Sequence, residues 1–476
     1  MQSDVRIATL EGGTTTVSPT QLHELGKQLA GRIIQPGDAS WNEAIQVWNG
    51  VAAKTPALVI QPASALEVAA VVKFARTHRL LLSIKGGGHN IAGTAVADSC
   101  LTLDMARMNA VTVDPRARLA YVHAGCLLRD VDAATQAHGL ATVLGFISEV
   151  GVAGLTLGGG LGYLTRRFGW TVDNVESVEI VTADGEIRIA SRTQNADLFW
   201  AVRGGGGNFG VITRFVFRLH EVGPEVYGGL IAWPFAQASE VVNVYRTLTD
   251  SAPLELASWL VMLRGPQAPF VPSSWQGERL CGMCICYSGD LAKTQEVLAP
   301  LRTLGPAVFD LLQNQPYTQV QSYLDATEPK GLHYYWKTEY LPEVSTPLLS
   351  AMSELFEQCP IPELDMGVLH LGGMLNTRAA DDGCVGNRNA RFVLGIKGMW
   401  PATQQSEAAR YRQWVRAAWQ RIRPFSTGAT YVNFQTDDED GARVQASYGG
   451  NFSRLLALKR QYDPDNLFRV NRNIVE

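Results

Sequence analysis

The stretch IKGGGHNIAG, residues 84–93, decides the predicted fold, because three consecutive glycines and a histidine directly follow an apolar strand. Glycine loses more backbone entropy on folding than other residues do, so glycine clusters persist where the backbone needs positive φ or approaches a ligand closely. Successive N–H groups in such a loop bind anionic oxygens without any side chain. The segment KGGGHN, residues 85–90, therefore predicts a binding site for the phosphates of a cofactor.

His89 closes this loop, which places its imidazole beside any cofactor bound there. A lone histidine is more often an ordinary core or surface residue. His89 is a candidate for cofactor attachment only because it directly follows the glycine loop. An uncharged imidazole is a nucleophile at neutral pH, and attachment to an electrophilic cofactor carbon is chemically reasonable.

Around the loop, the chain predicts a strand–helix–strand unit over residues 57–85, with a capping box at Ser64 and Glu67. Two further glycine clusters follow, at residues 151–162 and 204–207. The first of these is so rich in glycine that we expect no regular element there. Three clusters in one half of the chain favour ligand binding over three unrelated tight turns.

A nicotinamide-binding Rossmann site is disfavoured. The cluster that begins at Gly158 does not have the G-x-G-x-x-G spacing. No acidic residue follows about 20 positions later at the end of a strand, as that fingerprint requires.

The composition indicates a globular protein of two domains. The chain has 476 residues, 46% of them hydrophobic and 18% charged, with a net charge of −4. A net negative charge gives no broad basic surface, so we do not expect nucleic acid as a partner. The sequence has no apolar run of the length that a membrane span needs, so we do not expect a membrane partner either. No export signal is visible, so we expect a cytoplasmic protein, although a trimmed leader would leave the same sequence. Three of the seven cysteines lie together, and their apolar run predicts core residues rather than a metal site: Cys281, Cys284 and Cys286.

Four motifs in order resemble the FAD-linked oxidases of the berberine bridge enzyme-like group, in the vanillyl-alcohol oxidase/p-cresol methylhydroxylase (PCMH) superfamily. They are IKGGGHNIAG (84–93), GVAGLTLGGGLGYLTRRFGWTVDN (151–174), DLFWAVRGGGGNFGVIT (197–213) and the ending from YVNF (431–434) to NRNI. The resemblance implies an α+β, two-domain PCMH-type FAD-binding fold with an inserted substrate domain of antiparallel sheet and helices. The expected boundaries are an FAD-binding domain over 1–222 and 426–476 and a substrate-binding domain over 223–425.

The resemblance also implies the cofactor site. His89 matches the histidine that bonds covalently to the 8α-carbon of the flavin. The remaining expected FAD contacts are Lys85, Gly86, Gly87, Gly88, Asn90, Gly154, Gly158, Gly159, Gly160, Tyr163, Asn433 and Asn473.

The sequence departs from the family pattern at two positions. Relatives with a second covalent link carry a cysteine where this chain has Ile147, so we expect a single link. Many relatives use the last tyrosine of Y-x-N-Y as the base, whereas this chain has Phe434. The residue that would deprotonate the substrate is therefore not determined, and four residues are candidates: Tyr431, Tyr335, Glu339 and His370. Tyr431 would share a face with Asn433 if YVNF were a regular strand.

The predicted activity is that of an FAD-dependent oxidase. It would take a hydride from an alcohol, sugar, amine or aromatic or polyketide-like metabolite and use O2 as electron acceptor, giving hydrogen peroxide. Aromatic residues of the middle region, among them Trp259, Tyr334, Tyr335 and Trp336, favour a ring-bearing substrate. A dehydrogenase of the same fold and a flavin-binding protein with reduced catalysis are the alternatives. The sequence gives no oligomeric state.

Overall fold

The computed structural model describes residues 4–475. A four-stranded sheet, a five-stranded sheet and two two-stranded sheets (β1-β2 and β13-β9) come from the first half of the chain, and one large sheet comes from the middle. The strands of the first half are β1 (Val5–Ala8), β2 (Thr14–Val17), β3 (Arg32–Ile34), β4 (Leu58–Gln61), β5 (Leu82–Lys85), β6 (Leu101–Asp104), β7 (Val111–Asp114), β8 (Leu119–His123), β9 (Leu140–Ala141), β10 (Val175–Val181), β11 (Ile187–Ser191), β12 (Val211–Arg218) and β13 (His220–Glu221). The helices of this half are α1 (Pro19–Gly26), α2 (Trp41–Ile45), α3 (Ala65–Thr77), α4 (Leu128–Gln136), α5 (Val152–Leu157), α6 (Thr165–Phe168) and α7 (Ala196–Val202).

The strand–helix–strand prediction for residues 57–85 is confirmed by β4, α3 and β5. The backbone N–H of Glu67 donates to the Ser64 hydroxyl, which caps α3 as its sequence predicts. The sheet has the order β3-β4-β6-β5, with β6 parallel to both β4 and β5. The glycine loop therefore leaves the carboxyl end of β5, where parallel sheets commonly bind ligands.

The second sheet is antiparallel, with the order β11-β10-β12-β8-β7. Asp184-Gly185, a dipeptide typical of hairpin turns, joins β10 to its antiparallel partner β11, and Gly185 has a φ of +76°. Apolar residues of both sheets and of α3 share one core.

The middle of the chain forms one antiparallel sheet of eight strands. These strands are β14 (Glu225–Pro234), β15 (Leu256–Arg264), β16 (Arg279–Tyr287), β17 (Phe309–Asp310), β18 (Gln313–Pro316), β19 (His333–Leu341), β20 (Glu363–His370) and β21 (Phe392–Trp400). Its helices are α8 (Ala238–Asp250), α9 (Thr294–Val297), α10 (Tyr317–Gln321), α11 (Thr346–Glu357) and α12 (Ala408–Ile422). The three neighbouring cysteines lie on β16 and are buried, as predicted for core residues.

The C-terminal segment returns to the first core, as the split layout requires. Its helices are α13 (Gly441–Tyr448) and α14 (Phe452–Tyr462). Leu455, Leu458 and Phe468 pack in the same core as β4 and α3. The ammonium of Lys459 donates to the carbonyl of Asn208 at 2.9 Å, which ties α14 to the third glycine cluster.

Two local predictions are wrong. Residues 152–157 form helix α5, although we expected no regular element there, because Val152 and Thr156 are buried and anchor one side of the helix. YVNF is not a strand: residues 432–434 form a single 3-10 turn that follows Tyr431. Within residues 4–475, the structure contains no helix with the length and apolarity needed to cross a membrane.

Candidate active site

A cavity of about 310 Å³ lies where the first half of the chain, the large sheet and the C-terminal segment meet. The first glycine loop and α5 line one side of it, and alternate residues of the large sheet line the other. Residues from all three chain segments thus enclose one space. Its glycine-lined part has the character of a cofactor site, since bare backbone there is free to approach a ligand.

The first glycine loop fits a pyrophosphate group. Within residues 4–475, no protein acceptor meets the backbone N–H groups of Gly87, Gly88 and His89. Gly88 has a φ of +68°, and a Cβ on Gly87 would lie 2.4 Å from the backbone nitrogen of Gly151. The loop therefore requires glycine and presents free donors for anionic oxygens. The side chain of Asn90 accepts from the N–H groups of Ala92 and Thr94 and so supports the turn.

His89 lines the cavity and is held in a stack of rings. Its ring stacks on Trp48 at 4.3 Å between centroids, and Trp48 stacks on Tyr334 at 3.8 Å. The indole N–H of Trp48 donates to the carbonyl of Glu328 at 2.8 Å, which fixes the stack. Burial lowers the pKa of His89, so the imidazole is kept in the uncharged form that a nucleophile needs.

The second glycine segment approaches the C-terminal turn closely. A Cβ on Gly158 would lie 2.0 Å from the side-chain oxygen of Asn433, whereas one on Gly154 would meet no atom within 4 Å. Asn433 donates to the carbonyl of Leu155 at 2.9 Å and to the Tyr431 hydroxyl at 2.9 Å. Gly154, Gly158 and Asn433 all line the cavity.

Ile147 also lines the cavity, on the segment between β9 and α5. Its side chain is a hydrocarbon and cannot form a thioether. Cys126, the nearest cysteine before it in sequence, is buried in the core and does not line the cavity.

Several predicted cofactor residues lie outside the cavity wall. Lys85 donates to the carbonyl of Ala44 at 2.8 Å and pairs with Asp104. The phenol of Tyr163 lies 3.6 Å from the Cys284 sulfur, among core residues. The other predicted residues that do not line the cavity are Gly159, Gly160 and Asn473. These five positions shape or support the site rather than form its surface.

Of the four candidate bases, the structure brings only Tyr431 to the cavity. The phenol of Tyr335 donates to Asp438 at 2.6 Å, and Glu339 pairs with Arg443 at 2.7 Å. His370 contacts the Arg166 guanidinium at 2.8 Å, and its burial lowers its pKa. The prediction that these three face the substrate is not supported by their positions.

The physical reason is the two-residue period of a strand. On β19 the odd-numbered residues Tyr335 and Glu339 face the helices α12 and α13. The even-numbered Trp336 and Thr338 face the cavity.

Sequence reasoning missed the charged group on the cavity wall. Glu328, which precedes β19, accepts from the ammonium of Lys397 on β21 at 2.7 Å. Both side chains line the cavity, together with Trp259 and Trp336. The two residues are 69 positions apart, and neither belongs to a recognisable motif. Lys397 pairs with Trp336 of β19, and Glu328 reaches it from the segment that precedes this strand.

Comparisons with known proteins agree with this geometry. A family model described as FAD binding domain matches residues 56–191, and one described as berberine and berberine like matches residues 430–475. An FAD-linked oxidoreductase of Dictyostelium discoideum is 28% identical over 459 residues, covering 95% of this chain and 96% of its own. The (R)-6-hydroxynicotine oxidase of Paenarthrobacter nicotinovorans is also 28% identical, covering 94% of this chain and 97% of its own.

Solved structures show the same fold. The chain superposes on 6-hydroxy-D-nicotine oxidase of Arthrobacter nicotinovorans with a TM-score of 0.82 and 25% identity, covering 94% of this chain and 98% of the other. It superposes on the BBE-like 1 protein of Physcomitrella patens with a TM-score of 0.85 and 21% identity, covering 96% and 98%. The PCMH-type FAD-binding fold with its inserted antiparallel sheet is thereby confirmed. The chain is thus an FAD-linked oxidoreductase, and it resembles the berberine bridge enzyme-like group from its FAD-binding domain to its C-terminal segment.

Proposed function

We propose that this protein is an oxidase that holds FAD through one covalent bond, to His89, and oxidises a small organic substrate with O2 as electron acceptor. The observation that carries the proposal is the position of His89. It lies on a glycine loop with free N–H donors, faces the cavity, and has a depressed pKa because it is buried. FAD supplies the hydride acceptor and, after reoxidation by O2, hydrogen peroxide.

The residues of the chain would attach, orient and enclose this cofactor. Trp48 holds the His89 ring by stacking, so a bound flavin would find the nucleophilic nitrogen already oriented. Ile147 supports the single link, because it places a hydrocarbon where bicovalent relatives carry a cysteine. We also propose the split domain layout, with 1–222 and 426–476 holding FAD and 223–425 covering it, since the C-terminal helices share the first core.

Tyr431 is the catalytic candidate that remains from the sequence prediction. Its hydroxyl accepts from the Gly160 N–H at 2.8 Å and from the amide of Asn433. Burial raises its pKa, which disfavours the phenolate form that a general base would use. We therefore propose that Tyr431 orients the second glycine segment and Asn433 rather than accepting a proton.

Two measurements test the activity. The purified yellow protein is screened for peroxide release with alcohols, sugars, amines and phenolic metabolites, and we expect release with at least one class. Stopped-flow mixing of the reduced enzyme with air-saturated buffer then reports reoxidation. Slow reoxidation would assign the dehydrogenase alternative, and a flavin that no substrate bleaches would assign a binding protein.

A further inference from the structure

Helix α10 of the middle region packs against helix α4 of the first half of the chain. Asp132 of α4 and Gln321 of α10 meet there, and the Gln321 amide donates to Asp132 Oδ2 at 3.1 Å. Both residues are only 2% exposed. This buried contact therefore joins two of the chain segments that enclose the cavity.

The one hydrogen bond leaves the Asp132–Gln321 contact half satisfied. Within residues 4–475, neither Asp132 Oδ1 nor Gln321 Oε1 has a hydrogen-bond partner. Both oxygens are acceptors when the acid is ionised, and a buried acceptor without a donor costs free energy. A proton on Asp132 Oδ1 would satisfy both atoms, because a carboxylic acid and a primary amide can exchange two hydrogen bonds face to face.

The charged groups near α4 are engaged elsewhere. On α4 itself, the Arg129 guanidinium pairs with Glu149, and the Asp130 carboxylate accepts from the backbone at the start of the helix. Of the two strands packed against α4, β9 carries no titratable residue. Asp114 on β7 accepts from the backbone of the turn that follows it. None of these groups supplies a cation to Asp132.

Tyr317 lies one helical turn before Gln321 and faces the same carboxyl from α10. Burial, together with the charge of Asp132, raises the pKa of Tyr317 well above its ordinary value. The thiol of Cys286 packs in the same core as Tyr317, and burial raises its pKa as well. Burial raises the pKa of Asp132 to about 7. Of these three groups, Asp132 is therefore the one that titrates near neutral pH.

The contact holds the start of a segment that lines the cavity. Residues 322–328, the wall segment, follow α10 directly, and their Leu324 and Glu328 line the cavity. Asp325 anchors the middle of the wall segment, since the N–H and the hydroxyl of Ser148 donate to its carboxylate at 2.7 Å and 2.6 Å. This second anchor uses a carboxylate as acceptor and needs no proton. The anchor at the end of α10 is therefore the one that a single proton can change.

We propose that protonated Asp132 and Gln321 form a reciprocal acid–amide pair, which fixes the wall segment of the cavity and loosens it when Asp132 ionises. On ionisation the O–H bond on Oδ1 breaks, its electron pair stays on that oxygen, and the proton passes to the buffer. Two acceptor oxygens then face each other, and the contact keeps only the bond from the Gln321 amide. The pair couples one wall of the cavity to pH, and it does so whichever electron acceptor the enzyme uses.

Hydrogen–deuterium exchange of the holoenzyme, read by mass spectrometry of peptides from the wall segment, tests this inference. The N–H groups of Tyr323, Asp325 and Thr327 donate to carbonyls of α10 and of the segment itself, so their exchange reports its opening. After correction for the intrinsic rate, we expect exchange about tenfold faster at pH 8 than at pH 6, as the ionised fraction of Asp132 rises. Equal corrected rates would overturn the inference.

Variants then locate the effect. Asp132→Asn keeps the shape and supplies a permanent N–H donor, so the pair stays closed and the pH dependence disappears. Gln321→Ala removes the partner, and we expect fast exchange at both pH values. Gln319→Ala, at an exposed position on the same helix, is the matched control and should behave as wild type. A pH dependence that persists in Asp132→Asn, or slow exchange in Gln321→Ala at pH 6, would overturn the inference.

Infrared difference spectra of the wild-type protein give a test that needs no variant. Between pH 6 and pH 8, the band of a protonated carboxyl group should be replaced by that of a carboxylate. Spectra without this replacement would overturn the inference. Flavin attachment and peroxide release do not depend on the pair, so its failure leaves the proposed function standing.

Discussion

The hydroxyl of Tyr431 accepts a hydrogen bond from the backbone N–H of Gly160 at 2.8 Å, across 271 positions of sequence. The bond joins the C-terminal turn to the second glycine segment. Asn433 donates to the same hydroxyl and to Leu155 on α5. One phenol thus holds together two segments that the family pattern assigns to FAD.

Tyr431→Phe is expected to destabilise the protein by about 1–3 kcal/mol, because a buried N–H loses its acceptor. The shift in the urea midpoint measures this loss. Tyr163→Phe is the control, since among residues 4–475 the hydroxyl of Tyr163 has a hydrogen-bond partner only in the Cys284 sulfur, at 3.6 Å. Equal shifts in the two variants would contradict the role assigned to Tyr431.

Glu339→Gln is expected to weaken the fold and leave ligand preference unchanged. The carboxylate is fully buried and pairs with Arg443 at 2.7 Å, away from the cavity. Because Arg443 also pairs with Glu439, we expect a cost of about 2–3 kcal/mol, below that of an isolated buried charge. Thermal melts and a comparison of peroxide release across the substrate classes check both parts. A changed order of substrates with unchanged stability would place Glu339 in the site after all.

Asp132→Asn is expected to stabilise the protein more at pH 8 than at pH 5. Burial raises the pKa of Asp132 to about 7 from 3.8, while Gln321 on α10 donates to it at 3.1 Å. The folded chain therefore holds this proton more tightly than the unfolded chain, and wild-type stability falls as pH rises through that range. The difference between variant and wild type should grow by about 2.5 kcal/mol from pH 5 to pH 8. Denaturant titrations at both pH values measure it, and a pH-independent difference would refute it.

Ile147→Cys is expected to add a second covalent bond to the same flavin. Ile147 and His89 line one cavity, and the position matches the cysteine of bicovalent relatives. In the double variant His89→Ala/Ile147→Cys, flavin should stay with the acid-precipitated polypeptide. Loss of all flavin on precipitation would show that residue 147 does not reach the ring.

Much of the fold could be predicted because its signals are local. The capping box at Ser64, the Asp184-Gly185 turn and the glycine loop before His89 each depend on a few adjacent residues. Helix α5 was missed because its glycines suggested a loop, whereas burial of Val152 and Thr156 stabilises it.

The residues of the large sheet that line the cavity could not be predicted from local sequence in the same way. Strand β19 is buried along its whole length, so its polarity does not show which face meets the cavity. Glu339 and Thr338 are adjacent and therefore point to opposite faces of the strand. An error of one residue in the assumed orientation exchanges the residue that faces the cavity for the one that faces the helices. Glu328 and Lys397 are 69 positions apart and meet only in the folded chain, where the segment before β19 approaches β21.

The single covalent link to His89 is tested most directly by mass spectrometry of flavin-bearing peptides from the digested holoenzyme. The proposal predicts one attachment, at His89, and predicts that His89→Ala releases all flavin on acid precipitation. Flavin bonded to any other residue, a second attachment in the wild-type protein, or flavin retained by His89→Ala would contradict it.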